Sequence, residues 1–146
     1  MASSLSQSSG PVKVVAVFRE VDRQGVKGFV FDFSPLRDKC RIFPSETARA
    51  DEAQEIDIRQ LKAIFFVKEF GDPEHHTQTH SEEFVGVSHG RKMEVTLTDG
   101  ERLVGTTEGY NPKRLGFFLI PPHPQGNNLR VFVVNASVRE VKWLRA

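Results

Sequence analysis

The chain has 146 residues, enough for one ordinary domain or two small ones, and 20 Lys plus Arg against 19 Asp plus Glu leave a formal charge of +1. A balance so close to neutral gives no global pull toward nucleic acid or an anionic membrane, so any charge used in binding has to be local. Cys40 is the only cysteine, which excludes an internal disulfide and a multi-cysteine zinc site and fits a reducing, cytoplasmic compartment.

The start, "MASSLSQSSGP", lacks the basic and apolar regions of a signal peptide, and residues 1–11 are expected to form a disordered tail. From there "VKVVAVF", "VKGFVFDF", "CRIFP", "EIDI" and "LKAIFFVKEF" read as five short strands rich in β-branched and aromatic residues, with "SETARADEAQ" as a long polar loop. That loop has helix-forming residues but no apolar stripe, and no helix of useful length is expected in the chain. Residues 71–90 read as a polar linker holding four of the five histidines. His76 and His80 lie four apart, a spacing that one helical turn could aim at a metal with Glu74, Glu82 or His89, but a solvated linker explains the same residues and no metal is assigned.

The second run of strands begins at "KMEVTLTDGERLVGTT", where Met93, Val95 and Leu97 alternate with polar neighbours and Asp99-Gly100 marks a tight hairpin. "GFFLIP", "RVFVV" and "SVREVKWL" follow. No apolar run approaches the length of about 18–20 residues that a membrane helix needs.

The two runs repeat one another. Gly28 and Gly105 are 105 − 28 = 77 apart, and the same offset carries Pro35 onto Pro112, Pro44 onto Pro121, Leu61 onto Val138, Ile64 onto Val141 and Phe66 onto Trp143. The correspondence slips by two residues only before the glycine, at a hairpin turn, where insertions are tolerated. The expected architecture is therefore all-β: two tandem, strongly bent, five-stranded antiparallel barrels over 12–70 and 91–146, packed as a pseudo-dimer, with one interleaved β-domain as the alternative. Adjacent Phe65 and Phe66 point to opposite faces of a strand and cannot both enter one barrel, so one of them is expected to seal the joint between halves.

Val95, Leu97, Asp99, Gly100 and Gly105 resemble the first motif of Sm-like proteins, and "VFVVNASVREV" resembles the second, with Asn135-Ala136 where that family has Arg-Gly. The resemblance implies a small bent barrel that binds single-stranded RNA, with Tyr110, Asn111 and Asn135 in the pocket positions. Phe33, Ser34 and Ile58 stand in the matching places of the first half. Lys113 and Arg114 beside the second loop, and Arg37, Lys39 and Arg41 beside the first, are the residues that could contact phosphates. "LKAIFFVKEF" and "GFFLIPPHPQGNNLRVFVV" make the chain similar, over nearly its whole length, to an uncharacterised bacterial domain family associated with PilZ-type signalling modules. "REVDR" and "DFSPLR" are similar to parts of the PilZ signature for cyclic di-GMP, although Arg37 stands where that signature ends in glycine.

No phosphate-binding loop, dinucleotide fingerprint, nucleophile elbow or zinc-protease motif occurs in the sequence. The sequence thus supports a non-enzymatic module, without cofactor, that binds another protein in bacterial regulation or signalling. The competing reading is an Sm-like binder of single-stranded RNA or nucleotide. Oligomerisation through free barrel edges is a further expectation.

Overall fold

The computed structural model describes residues 10–70, 90–123 and 126–144. Residues 1–9 of the expected tail over 1–11, and residues 71–89 of the expected linker over 71–90 with its histidine cluster, lie outside these. Ten strands and no α-helix make up the described residues: β1 (Val12–Phe18), β2 (Val26–Val30), β3 (Lys39–Ile42), β4 (Gln54–Asp57), β5 (Leu61–Val67), β6 (Arg91–Leu97), β7 (Arg102–Thr107), β8 (Gly116–Leu119), β9 (Asn128–Val134) and β10 (Val138–Trp143). The polar loop forms only a 3-10 turn at Ala50–Glu52, without a buried residue to anchor anything longer.

The 77-residue offset recurs in the element bounds. Adding 77 to β3 gives the bounds of β8, and the 3-10 turns Ile58–Gln60 and Asn135–Ser137, each leading into the last strand of its half, are also 77 apart. Within the first half β1 pairs with β2 and β5, and β3 pairs with β4. In the second, β6 pairs with β7 and β10, and β8 pairs with β9. A single bridge joins β2 to the residue after β3 through Phe29 and Phe43, and its counterpart joins β7 to the residue after β8 through Thr106 and Ile120.

Gly28 and Gly105 explain why these bridges are possible. A Cβ at Gly28 would sit 2.5 Å from the Phe43 carbonyl oxygen, and one at Gly105 would run into the Ile120 carbonyl oxygen. Only a residue without a side chain lets the backbones approach this closely. Gly105→Ala is therefore expected to destabilise the chain by about 1–3 kcal/mol, as overpacking does. Urea unfolding would show it as a lowered midpoint, and an unchanged midpoint would mean that β7 and β8 can part at no cost.

The fold departs from two separate closed barrels. The sheets have five, three and two strands, in the orders β2-β1-β5-β9-β8, β10-β6-β7 and β3-β4, and none closes. The reason lies in β5, which gives one edge to β1 and the other to β9 of the second half, in the register Ala63↔Val133, Ile64↔Phe132 and Phe65↔Val131. A strand used on both edges by two halves merges them into one sheet. Each face of that sheet carries a core. Phe18, Ile42, Ile56, Leu61, Ile64 and Phe66 of the first half gather with Phe132 and Val134 of the second on one side. Met93, Val95, Leu97 and Phe117 of the second half gather with Val15, Ala63, Phe65 and Val67 of the first on the other.

The same comparison finds charged residues at the matching positions of the remaining strands. Where β5 presents Ala63 and Phe65 to the second core, β10 has Glu140 and Lys142; where β9 presents Phe132 and Val134 to the first core, β4 has Glu55 and Asp57. Charge on an open edge discourages the addition of another strand.

Candidate functional site

Between the end of β7 and the start of β8 the two strands splay beyond their bridge, and a groove of about 740 Å³ opens. Pro35 and Leu36 of the first half form one wall, and Thr107 to Asn111, Arg114, Gly116 to Phe118, Ile120 and Arg130 of the second form the rest. Leu36 is 67 % exposed and Ile120 42 %, so the groove offers apolar surface to a ligand.

Arg130 is the least ordinary of these residues. It pairs across the sheet with Phe66 and so occupies the phase of the strand that otherwise turns Phe132 and Val134 into the first core. Its guanidinium lies 4.2 Å from the Phe118 ring centroid and 4.6 Å from that of Phe66, a stacked arrangement favourable for arginine. Burial lowers its pKa from the ordinary arginine value, and no carboxylate among the described residues pairs with it. A partly desolvated cation resting on aromatic rings without a carboxylate partner among the described residues suits an anionic group.

Of the residues singled out from the sequence, Tyr110, Asn111 and Arg114 line this groove. Tyr110 sets its ring edge-on against Phe117 at 4.9 Å and Trp143 at 5.8 Å, which fixes it as a wall. Asn111 accepts a hydrogen bond from the Lys113 N–H at 2.9 Å, and Asn135 donates its side-chain amide to the carbonyl oxygens of Asn111 at 3.0 Å and Arg114 at 2.9 Å. Asn135 therefore braces the loop, and Lys113 contributes its backbone to the turn. Phe65 and Phe66, neighbours on β5, point into the second and first cores respectively.

Arg37 and Lys39 lie elsewhere. They line a smaller hollow of about 160 Å³ with Val30, Asp32, Phe33, Ser34, Cys40, Arg41 and Glu55. It is the repeat counterpart of the large groove: a shift of 77 carries Asp32, Phe33 and Ser34 onto Gly109, Tyr110 and Asn111, and Arg37, Lys39 and Arg41 onto Arg114, Gly116 and Phe118. The first copy is small and charged, with Arg37 reaching Asp32 at 4.0 Å and Arg41 lying over Phe43; the second is wider, with Glu108, Arg114 and Arg130 among mostly uncharged residues.

Sequence reasoning missed Arg130, Leu36, Ile120 and Phe118. The available signal for Arg130 was its spacing, two residues before Phe132 and four before Val134, which places an arginine in step with buried side chains. Leu36 comes from the other half and gave no signal. Arg23, part of the segment similar to the PilZ signature, rests its guanidinium 3.8 Å from the Phe18 ring and donates to the Gln60 side chain, so it is held against the first half. Cys40 is buried, and burial with the Asp32 charge pushes its thiol up to about 11, away from the thiolate a nucleophile needs. Among the described residues no group of three His, Cys, Asp or Glu side chains is placed to hold a metal, and no helix is long and apolar enough to cross a membrane.

No curated protein and no solved structure matches the chain. A family of unknown function, DUF6982, matches it over residues 12–145, and the chain belongs to that family.

Proposed function

We propose that the chain is a non-catalytic β module that holds a segment of another protein in the groove between β7 and β8, as an adaptor in bacterial cytoplasmic regulation. The observation that carries the reading is the divergence of the two equivalent hollows, one small and lined with charges, the other wider, with more uncharged lining and with Arg130, with which no carboxylate among the described residues pairs. Duplicated binding sites that served the same ligand would keep the same lining. The free edges of β4 and β10 are poorer candidates, because Glu55, Asp57, Glu140 and Lys142 stand there.

A second reading, single-stranded RNA or nucleotide in the same groove, draws on the Sm-like resemblance and on the convergence of Tyr110, Asn111 and Arg114 at one site. It is the weaker of the two. Tyr110 is partly buried against the second core, which leaves less of its ring to a stacking base.

Photo-crosslinking distinguishes them. With p-benzoylphenylalanine at Ile120, and separately at Val21, which is 87 % exposed and far along the chain, the protein is irradiated in extract of its own cell. A protein adduct specific to position 120, identified and re-formed from purified components, is expected. An adduct to RNA at position 120, with affinity that falls steeply as salt rises, would replace the reading with the second one.

A further inference from the structure

Resting on that docking reading, we infer that the ligand is an extended peptide segment that adds as a strand to the open edge of β8 and places an acidic side chain on Arg130. The argument starts from backbone direction. Successive residues of a strand turn their N–H and C=O groups to opposite edges. Ile120 uses both to bond Thr106 of β7, at 2.8 and 2.9 Å, while the Leu115 carbonyl oxygen accepts from Asn135 on the opposite side. The alternation therefore turns Gly116 and Phe118 the same way as Ile120, toward the groove. The sheet ends at β8, and no described strand pairs with those two residues, of which Gly116 is buried and Phe118 half-buried.

The first half shows how an edge of this kind is closed off. At the positions equivalent to Gly116 and Phe118, β3 carries Lys39 and Arg41, whose charges discourage an added strand, and its hollow holds only about 160 Å³. On β8 both charges are missing and the space is wide. Around this edge Leu36, Ile120 and Phe118 offer apolar contacts to one set of alternate side chains. Arg114 and Arg130 line the same space against one carboxylate among the described residues, Glu108, so the site favours a segment with an acidic residue among apolar ones. Strand addition of this type draws affinity from main-chain bonds and specificity from alternate side-chain pockets.

The test selects peptides from a random dodecapeptide library displayed on phage against the full chain, then resynthesises an enriched peptide with its backbone amides N-methylated one at a time. An acidic residue flanked by β-branched or aromatic ones is expected among the enriched sequences. Methylation at every second amide should weaken binding about tenfold or more, while methylation at the amides between should change it less than about twofold. On binding, the Phe118 amide should gain protection from hydrogen exchange. Equal tolerance of methylation at all positions would overturn strand addition and leave the docking reading standing. Failure to enrich any peptide, or a concentration-dependent dimer whose formation protects the Phe118 amide, would also overturn it, the latter by making a second copy the occupant. An RNA adduct at position 120 would remove both.

Discussion

Phe65→Ala is expected to cost about 3–5 kcal/mol of folding stability, the usual loss for a fully buried phenylalanine. Its ring is 2 % exposed and packs in the second core, although its backbone belongs to β5, the last strand of the first half. Removing it leaves a cavity on one face of the shared sheet at the point where β5 pairs with β9 through Phe65 and Val131. The damage therefore falls on both halves together, and urea unfolding should remain a single transition displaced to lower denaturant. Val21→Ala, at an 87 % exposed position, should leave the midpoint where it is. A Phe65→Ala loss below about 1 kcal/mol would mean that the halves do not share a core as described.

Lys62→Met is expected to cost about 3 kcal/mol, near the low end for breaking a buried ion pair. Lys62 stands on β5 of the first half and reaches the turn between β6 and β7 of the second, bonding Asp99 at 2.7 Å and also Glu101. The Lys62 and Glu101 side chains are 14 % and 12 % exposed, so a neutral residue at 62 leaves a nearly buried carboxylate without its cation; Asp99, at 42 %, retains water and softens the loss. Ser137 adds to the same joint by donating its hydroxyl to the Lys62 carbonyl oxygen at 2.8 Å.

The pH dependence follows from the two shifts. For Asp99, burial alone would raise the carboxyl pKa, but bonding to Lys62 and to backbone N–H groups holds it below the ordinary 3.8. Its contribution is present in full above that value and is lost as the pH falls through the lowered one. Burial likewise opposes the Lys62 charge, yet its bonds to Asp99 and Glu101 hold its pKa above the ordinary 10.5, so its contribution is present below that value and lost as the pH rises through the raised one. Stability curves of wild type and Lys62→Met should thus lie farthest apart between these limits and converge at both ends. A constant gap from acid to alkaline pH would assign the loss to the packing of the lysine stem.

Much of this was legible before any coordinates. The 77-residue offset carries β2 to β5, Gly28 and the 3-10 turn Ile58–Gln60 onto β7 to β10, Gly105 and the turn Asn135–Ser137, while β1 and β6 stand 79 apart; the close approach at Gly28 or Gly105 has the same solution in both halves. The opposed faces of Phe65 and Phe66 follow from strand alternation alone, and each ring now sits in a different core. What pairs with β5 beyond its own half was not legible. Alternation fixes which face a side chain takes but is silent about which strand lies alongside, and so the shared sheet replaced two closed barrels. The groove was half legible for a similar reason. Tyr110, Asn111 and Arg114 belong to one stretch of chain, whereas Leu36 and Arg130 reach it from 74 residues before and 20 after Tyr110 through the joint between halves.

The measurement that bears most directly on the whole account compares two single substitutions in their affinity for a peptide selected against the full chain. Arg130→Gln removes the ring-stacked cation from the wide groove, and Arg41→Gln removes a cation from its small counterpart in the first half. The account predicts about tenfold weaker binding for Arg130→Gln and less than about twofold change for Arg41→Gln. Equal affinity for Arg130→Gln and wild type, or a larger loss in Arg41→Gln, would contradict it and move the binding site out of the groove.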